Sequence, residues 1–301
     1  ALQDQIGSID VYELYTEVAV PLISEAPLAH YLGLEAGFRR SNYSSVGNVD
    51  TYKIGGEWAP VEWLRFRAMF NEATRAPNVF ELFQAGDQGF VTTNDPCRDT
   101  GVNTNGLPDV AGVTLAECTS SGVPLAAYPG FVQTNAQLQA FSFGNPNLTP
   151  ETAETLTYGV VFQPDWFPIG FFRATADYYD IEVTDVILGL GVAFYLNDCY
   201  VGNNPASCAR ISRLPSGQID FVNTFRSNQA TLATSGIDLQ FEWSIPLGPG
   251  QLTVNELYSI LDEYRVNAND FAGTTSGGIG GAFPDYKSVL TVTYNVGDWT
   301  L

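Results

Sequence analysis

Strict alternation of apolar and polar residues recurs along this chain and constrains its fold more than any other feature. In 237–245 the apolar residues alternate with Asp238, Gln240 and Glu242, and in 64–70 they alternate with two arginines. This period-two pattern predicts β-strands with one apolar and one polar face. We predict about ten strands, near residues 9–22, 31–41, 50–59, 63–73, 154–164, 171–183, 229–246, 251–265, 285–296 and a last one from 299.

The connections between these strands alternate between short and long. The short ones are 24–30, 60–62, 164–170, 246–250 and 297–298, and the long ones are 41–50, 74–154, 182–230 and 267–284. Alternation alone does not separate a soluble sandwich, whose apolar faces form a core, from a transmembrane barrel, whose apolar faces meet lipid. Tight turns at one end and long loops at the other are typical of the barrel. The sequence therefore predicts an all-β, antiparallel transmembrane β-barrel fragment.

All five tryptophans lie within a few residues of a short connection. They are Trp58, Trp63, Trp166, Trp243 and Trp299. Indole is apolar with one polar handle, so this clustering is typical of the aromatic girdle where a barrel meets the membrane interface. The alternative is that these rings only fill gaps at the end of the sheet.

The charge balance excludes a nucleic-acid ligand. The chain has 13 Lys plus Arg against 33 Asp plus Glu, a net charge of −20, and a binder of phosphates needs a basic face. A soluble, self-repelling surface is one explanation of the acidity. The other places the acidic residues in polar loops and a wet lumen. No segment approaches the roughly 18 uninterrupted apolar residues that a membrane-spanning helix requires.

The polar faces of the strands hold charges that need partners. In a barrel these residues would point into the lumen, where water, each other or a plug would have to compensate them. They are Glu13, Glu17, Glu35, Arg65, Arg67, Arg173, Asp238, Gln240 and Glu242. We expect some of them to form ion pairs with a plug domain.

Four cysteines fall as two close pairs in Gly-, Pro- and Asn-rich stretches with no histidine nearby, which disfavours a zinc site. Four cysteines allow three connectivities, and we predict the two local disulfides Cys97–Cys118 and Cys199–Cys208. Disulfides imply an oxidising compartment such as a periplasm or a cell surface.

Four segments resemble the TonB-dependent receptor family, and they occur in the family's order. Residues 63–83 end in Arg75-Ala76-Pro77 and then Glu81-Leu82, and residues 145–154 begin Asn145-Pro146-Asn147-Leu148 and continue with Pro150-Glu151. The third and fourth segments are 174–181 and 234–239. The resemblance covers roughly residues 9–301 and is weakest in the loops.

The resemblance implies a barrel of roughly 22 strands around an N-terminal plug in an outer membrane of a Gram-negative bacterium. Residues 1–301 would be part of that barrel, with the plug and the terminal strands outside this sequence. The implied function is TonB-energised import of siderophore-iron, cobalamin, haem or a carbohydrate. The implied partners are membrane lipid, an extracellular small molecule, and the TonB complex through a region preceding Ala1.

The motif residues also have structural explanations. Pro77 cannot donate to a strand ladder and disfavours helix at Ala76, so the strand should end there. We expect Glu151 and Glu154 to pair with cations such as Arg75. Aromatic residues in the long connections could stack on a ligand or pack the loops on themselves; they are Phe80, Phe83, Phe90, Tyr128, Phe131, Phe141, Phe143, Phe194, Tyr195 and Tyr200.

Two other classes of protein share parts of this pattern. A passive porin has a similar lipid-facing belt but no plug, and a soluble or adhesive surface β-protein has similar alternation. Catalysis has little support because the sole histidine, His30, lies in a predicted turn. We therefore expect no catalytic residues, no bound metal and no cofactor.

Overall fold

The computed structural model describes residues 6–99, 108, 112–128, 130–276 and 281–301, and the chain is nearly all β. In chain order the elements are β1 Val11–Ala26, β2 Ala29–Tyr43, β3 Gly47–Val61, β4 Leu64–Arg75, α1 Val79–Phe83, β5 Ala85–Thr92, α2 Leu115–Ser120, a 3-10 helix Leu125–Ala127, β6 Gln137–Phe143, β7 Glu151–Phe162, β8 Phe171–Gly189, α3 Val192–Tyr200, α4 Pro205–Cys208, β9 Ile211–Arg213, β10 Ile219–Leu247, β11 Gly250–Val266, β12 Asn269–Asp270, β13 Thr274–Ser276, β14 Gly281–Phe283, β15 Tyr286–Val296 and β16 Trp299–Thr300.

These elements form two compact units. The sheet unit comprises Asp10–Ala76, Pro150–Val186 and Gln229–Leu301. The loop unit comprises Ala1–Ile9, Pro77–Thr149 and Ile187–Asn228. Because β8 and β10 are unusually long, each contributes residues to both units.

The sheet unit is one antiparallel sheet with the order β1-β2-β3-β4-β7-β8-β10-β11-β15-β16. Its ten strands are the ten that the alternation predicts, in the predicted order. The path begins at β1 and ends at β16, so the barrel is not closed within this chain. The fold is therefore confirmed as part of an antiparallel β-barrel.

The strand register separates two faces. Directly paired residues of an antiparallel sheet project to the same side. One row of partners runs Ala36–Ile54–Phe70–Leu156, and the next row, on the opposite face, runs Glu17–Gly37–Lys53–Asn71–Thr155. On the apolar face large side chains are exposed, with Ile54 at 60% and Leu14 at 78%. An apolar face this exposed needs a nonaqueous neighbour.

One predicted connection is wrong. The sequence suggested a long loop over 41–50, but β2 runs to Tyr43 and β3 starts at Gly47, so only three residues turn. The ladder continues through Asn42 and Asn48, whose side chains hydrogen-bond at 2.7 Å. Gly47 has a φ of +76°, which glycine adopts without strain. Polar residues at the end of this hairpin interrupt the apolar–polar alternation of the sequence, and the sequence pattern there is therefore the same as that of a loop.

The other three long connections are long, but each contains regular structure that the alternation did not reveal, including β12, β13 and β14 in 267–284. In the loop unit β5 pairs with β6, and β6 runs parallel to the first part of β10, which also pairs with β9. A buried cluster that includes Val192, Leu196 and Val222 gives this unit its own core. Among the described residues, no helix has the length and apolarity to cross a membrane.

Candidate functional site

The polar face of the sheet unit carries a ladder of ion pairs. Arg67 binds Asp177 in a bidentate pair, with Nε donating to Oδ1 at 2.8 Å and Nη2 to Oδ2 at 2.7 Å. Arg173 donates from Nη2 to Glu242 Oε2 at 2.9 Å. These contacts span three strand pairs, so charges distant in sequence neutralise each other across the sheet.

The nine charged or polar residues predicted to share a face do share it, by the strand register and by these contacts. Glu13 accepts a hydrogen bond from Ser41 Oγ at 2.6 Å, Glu17 lies 3.4 Å from Lys53 Nζ, and Arg65 lies 3.5 Å from Glu57. Asp238 accepts a hydrogen bond from Ser259 Oγ at 2.5 Å. Within the described parts of the chain, the side chains of Glu35 and Gln240 have no such partner.

A polar cavity of about 440 Å³ opens on this face. Arg65, Arg67 and Arg173 line it together with Asp177 and Gln240. The Nε of Arg173 is buried and has no hydrogen-bond partner in the described structure. A buried donor without an acceptor is costly, so this cavity has capacity for a further polar group.

Three of the five tryptophans, Trp58, Trp63 and Trp166, contact other aromatic rings beside the short turns of the sheet unit. Trp58 stacks on Phe66 with centroids 5.5 Å apart, and Trp63 packs edge-on against Trp166 at 6.2 Å. Trp58 and Trp243 donate their indole N–H to the backbone oxygens of Leu28 and Ile169. The polar edge of these two rings is thus satisfied at the turn end of the sheet.

Arg75 and Glu151, from two of the family-like segments, form a second bidentate pair in the sheet unit. Arg75 Nε donates to Glu151 Oε2 at 2.6 Å and Nη2 donates to Oε1 at 2.7 Å, as expected for Glu151. Glu154 does not join it, because its partners in the register are Glu72 and Glu182. The Glu151 side chain therefore connects the first residue of β7 to the last residue of β4.

Most of the remaining motif residues lie in the loop unit, and Ala76 and Pro150 belong to the sheet unit. Asn78 and Glu81 form a capping box that starts α1, and the Glu81 backbone oxygen accepts a hydrogen bond from Asn145 N at 2.9 Å. Leu82 packs with Leu148 in a small buried cluster. Leu82 of the Glu-Leu pair and Leu148 of the Asn-Pro-Asn-Leu segment thus share one core, a structural role for both.

Both predicted disulfides are present. The Cα atoms of Cys97 and Cys118 are 5.6 Å apart, and those of Cys199 and Cys208 are 4.7 Å apart. Cys97 and Cys118 are completely buried. Cys118 lies in α2, and the Cys199–Cys208 bridge joins the end of α3 to the end of α4.

A buried ion pair connects the two disulfide-bonded segments. Arg213 donates to Asp95 from Nη1 at 2.5 Å and from Nη2 at 2.8 Å, and both side chains are 2% exposed. Arg213 Nη2 also donates to Tyr200 Oη at 2.7 Å, and Tyr200 donates to Ser121 Oγ at 2.9 Å. These residues were not predicted, since the paired residues are separated by 118 positions and no local pattern marks them.

The pKa values of this cluster reflect its burial. Burial alone would lower the pKa of the Arg213 guanidinium, but the hydrogen bonds and charge of Asp95 outweigh it and raise that pKa. Burial, with the nearby Asp95 charge, raises the pKa of the Tyr128 hydroxyl to about 12. The Tyr128 hydroxyl donates to the Cys97 backbone oxygen at 2.6 Å. The raised pKa values keep the Arg213 guanidinium charged and the Tyr128 phenol neutral, which suits a structural core.

The aromatic residues of the long connections divide between the two roles that the sequence left open. Phe131, Tyr195 and Tyr200 are buried and pack the loop unit. Four others are exposed by more than a third of their surface: Phe80, Phe83, Phe90 and Phe194. These four rings are the most accessible to a ligand among the ten, since Tyr128, Phe141 and Phe143 are only partly exposed.

Nothing in the described ranges resembles a metal centre, since no group of three His, Cys, Asp or Glu side chains is arranged to hold an ion. His30 lies 3.9 Å from Glu62 at a turn of the sheet unit.

Comparison with known families decides the identity of the fold. The family model described as TonB dependent receptor-like, beta-barrel, matches residues 2–301. The chain belongs to the TonB-dependent receptor family. This family of outer-membrane β-barrels consists of receptors and transporters, not enzymes. No curated protein sequence matches the chain.

Solved structures of TonB-dependent receptors share this fold. The siderophore receptor PirA from Acinetobacter baumannii matches with a TM-score of 0.54 at 13% identity, over 96% of this chain and 32% of that one. A mutant of the ferric enterobactin receptor PfeA from Pseudomonas aeruginosa, in complex with enterobactin, matches with a TM-score of 0.56 at 14% identity, over 96% and 31%. PirA from Pseudomonas aeruginosa matches with a TM-score of 0.51 at 16% identity, over 97% and 43%.

This chain thus spans between 31% and 43% of the length of these receptors. At such low identity the likeness shows the fold and not the ligand. The siderophores in the names of these receptors are ligands of those receptors, and the shared fold does not assign them to this chain.

Proposed function

We propose that this chain is the membrane-embedded portion of a receptor that imports ferric siderophores across a Gram-negative outer membrane with energy from TonB. The observation that carries the proposal is the family match over residues 2–301 on a sheet with one apolar and one charged face. The sheet unit would form part of the barrel wall, with its apolar face toward lipid. The loop unit would lie outside the cell.

Among siderophore-iron, cobalamin, haem and carbohydrate, we select siderophore-iron as the cargo to test first because solved structures with this fold are siderophore receptors. The shared fold does not itself identify the ligand. The passive porin has no observation in its favour. The soluble surface protein is disfavoured because an apolar face as exposed as that around Ile54 would aggregate in water.

The polar face would line the lumen and contact a plug domain supplied by another part of the protein. The cavity lined by Arg65, Arg67 and Arg173 is the best candidate for that contact, because Arg173 Nε still lacks an acceptor. The tryptophans beside the short turns would mark the periplasmic interface. TonB would bind a region that this sequence does not include.

Growth of a receptor deletion strain under iron limitation tests the function. With single ferric siderophores as the iron source, the complemented strain should grow on at least one that the deletion strain cannot use. Growth should be lost again when TonB is deleted. Growth restored only on a defined glycan source, or restored without TonB, would contradict the proposal.

The lumen assignment has its own test. Arg67→Ala and Arg173→Ala in the full receptor should each weaken plug anchoring, measured as faster proteolysis of the plug, and reduce uptake. Unchanged plug protection and uptake in both variants would count against a role of this face in plug binding.

A further inference from the structure

Most cations in this acidic chain already have a carboxylate partner, and this makes the exceptions informative. Of the 13 Lys and Arg residues, nine lie in ion pairs. Among the described residues, four cations have no carboxylate within ion-pair distance: Lys287 and the arginines Arg98, Arg210 and Arg226. Arg98 bonds Asn94 instead, which leaves Arg210 and Arg226 as the guanidiniums without a hydrogen-bonded side-chain partner in the described structure. Both belong to the loop unit.

Both guanidiniums rest on aromatic rings. Arg210 Cζ lies 4.0 Å from the centroid of Phe225, and Arg226 Cζ lies 5.0 Å from that of Phe80. Stacking holds a guanidinium in place while leaving the edge with its N–H donors free. The Nε of Arg226 is buried and has no acceptor within the part of the chain that the structure describes.

Arg226 lines a cavity of about 260 Å³ within the loop unit. Ser142 and Thr224 line it too, with their hydroxyl oxygens 3.0 Å apart, and Gln84 adds an amide. Thr224 and Gln84 are buried. The lining contains no Asp or Glu, whereas the polar cavity lined by Arg67 in the sheet unit includes two carboxylates. The lining therefore contains a cation and no carboxylate, and the nearby Asp87 carboxylate accepts a hydrogen bond from the Gln84 amide at 3.0 Å.

The start of α3 adds to this potential. Gly189, Gly191 and Val192 line the same cavity, and the N-cap residue Gly191 has no side chain to accept from the first free N–H groups. The N-terminus of a helix carries partial positive charge and unsatisfied donors. Together with the unpartnered Arg226, it favours a bound anion.

We propose that this cavity binds an oxyanion, a carboxylate or phosphate group, of the extracellular ligand. Guanidinium presents two parallel N–H donors that match the two oxygens of such a group. The inference deepens the proposed function and rests on it for the ligand being an imported molecule. The anion site itself depends only on the loop unit.

Calorimetric titration of the purified full receptor with citrate and with inorganic phosphate tests the site. At least one probe should bind, and Arg226→Met should weaken that binding about tenfold or more, because charged hydrogen bonds are lost. Met preserves the apolar contact with Phe80, so the loop unit should stay folded. Arg226→Lys keeps the charge but not the fork and should bind with intermediate affinity.

Arg98→Met is the matched control, because Arg98 lies in the same unit, bonds Asn94 and does not line the cavity. It should bind both probes as the wild type does. Absence of binding at millimolar concentration, or equal affinity in Arg226→Met and wild type, would overturn the inference. If binding depends on Arg226 but the receptor supports no siderophore growth, the proposed import function fails and the anion site stands.

Discussion

At the scale of single residues, charge pairing is the main organising interaction in this chain. In the sheet unit the pairs are half-exposed, such as Arg67 with Asp177, and each contributes about 1 kcal/mol or less. In the loop unit the Asp95–Arg213 pair is almost completely buried, and its energetics are different. A buried charge that loses its partner remains desolvated, so the loss is much larger than at the surface.

Asp95→Asn should therefore destabilise the loop unit by about 3–5 kcal/mol, because the amide keeps the shape but leaves Arg213 without a counter-charge. Hydrogen exchange in the full receptor would measure this as lost protection of amides around Cys97 and Asp99. Asp220→Asn makes the same chemical change at an exposed position of the same unit and should cost about 0.5 kcal/mol or less. Equal effects of the two substitutions would refute the role of the buried pair.

The buried hydroxyl of Tyr128 makes a prediction about pH. Its pKa in the folded loop unit is about 12, above the ordinary value for tyrosine of about 10. The folded state thus holds the proton more tightly, and this stabilisation is complete below about pH 10 and is lost as pH rises toward about 12. Protease resistance of the loop unit should fall over that window, and Tyr128→Phe should lose that component of the fall. A variant with the wild-type pH profile would disprove it.

At the scale of elements, the strands of the sheet unit could be predicted and the loop unit could not. Alternation marks a strand such as 237–245 because one face is apolar and the other polar over its whole length. β6 and the start of β10 pair in parallel across 82 residues at Ser142–Thr224, and no local period signals such pairing. The same holds for the cavity lined by Arg226, whose residues come from distant segments.

The two disulfides were predictable because their cysteines are close in sequence, and their loop lengths predict unequal contributions. The bridges close separations of 21 and 9 residues. By chain entropy, the Cys97–Cys118 bridge should stabilise the loop unit by about 3 kcal/mol and the Cys199–Cys208 bridge by about 2.5 kcal/mol.

Paired alanine variants test this order. Cys97→Ala with Cys118→Ala should lower the resistance of the loop unit to proteolysis more than Cys199→Ala with Cys208→Ala, because the longer loop gains more unfolded-state entropy. Complete burial of Cys97 and Cys118 acts in the same direction. A larger effect from removing the shorter bridge would mean that native contacts outweigh the unfolded-state entropy.

At the scale of the whole molecule, the central question is which face of the sheet meets lipid. Family membership implies a barrel with lipid outside and a polar lumen, and the register assigns each residue of the sheet to one of two sides. Leu156 and Thr157 are neighbours in β7 and point to opposite faces. They offer a direct comparison, because the same substitution can be made on each face of one strand.

Leu156→Arg should impair assembly and Thr157→Arg should not. Arginine on the lipid face near the middle of the bilayer costs about 2–4 kcal/mol, whereas a lumenal arginine stays in a polar environment. Leu156 is paired with Phe70 of β4 on one side and with Asp180 of β8 on the other, and Thr157 stands on the face that holds Arg67 and Asp177. The amount of folded receptor in outer-membrane fractions, followed by its heat-dependent shift on gels, measures the difference. A reversed result would place the charged ladder against lipid, and the import function would then have no lumen to act through.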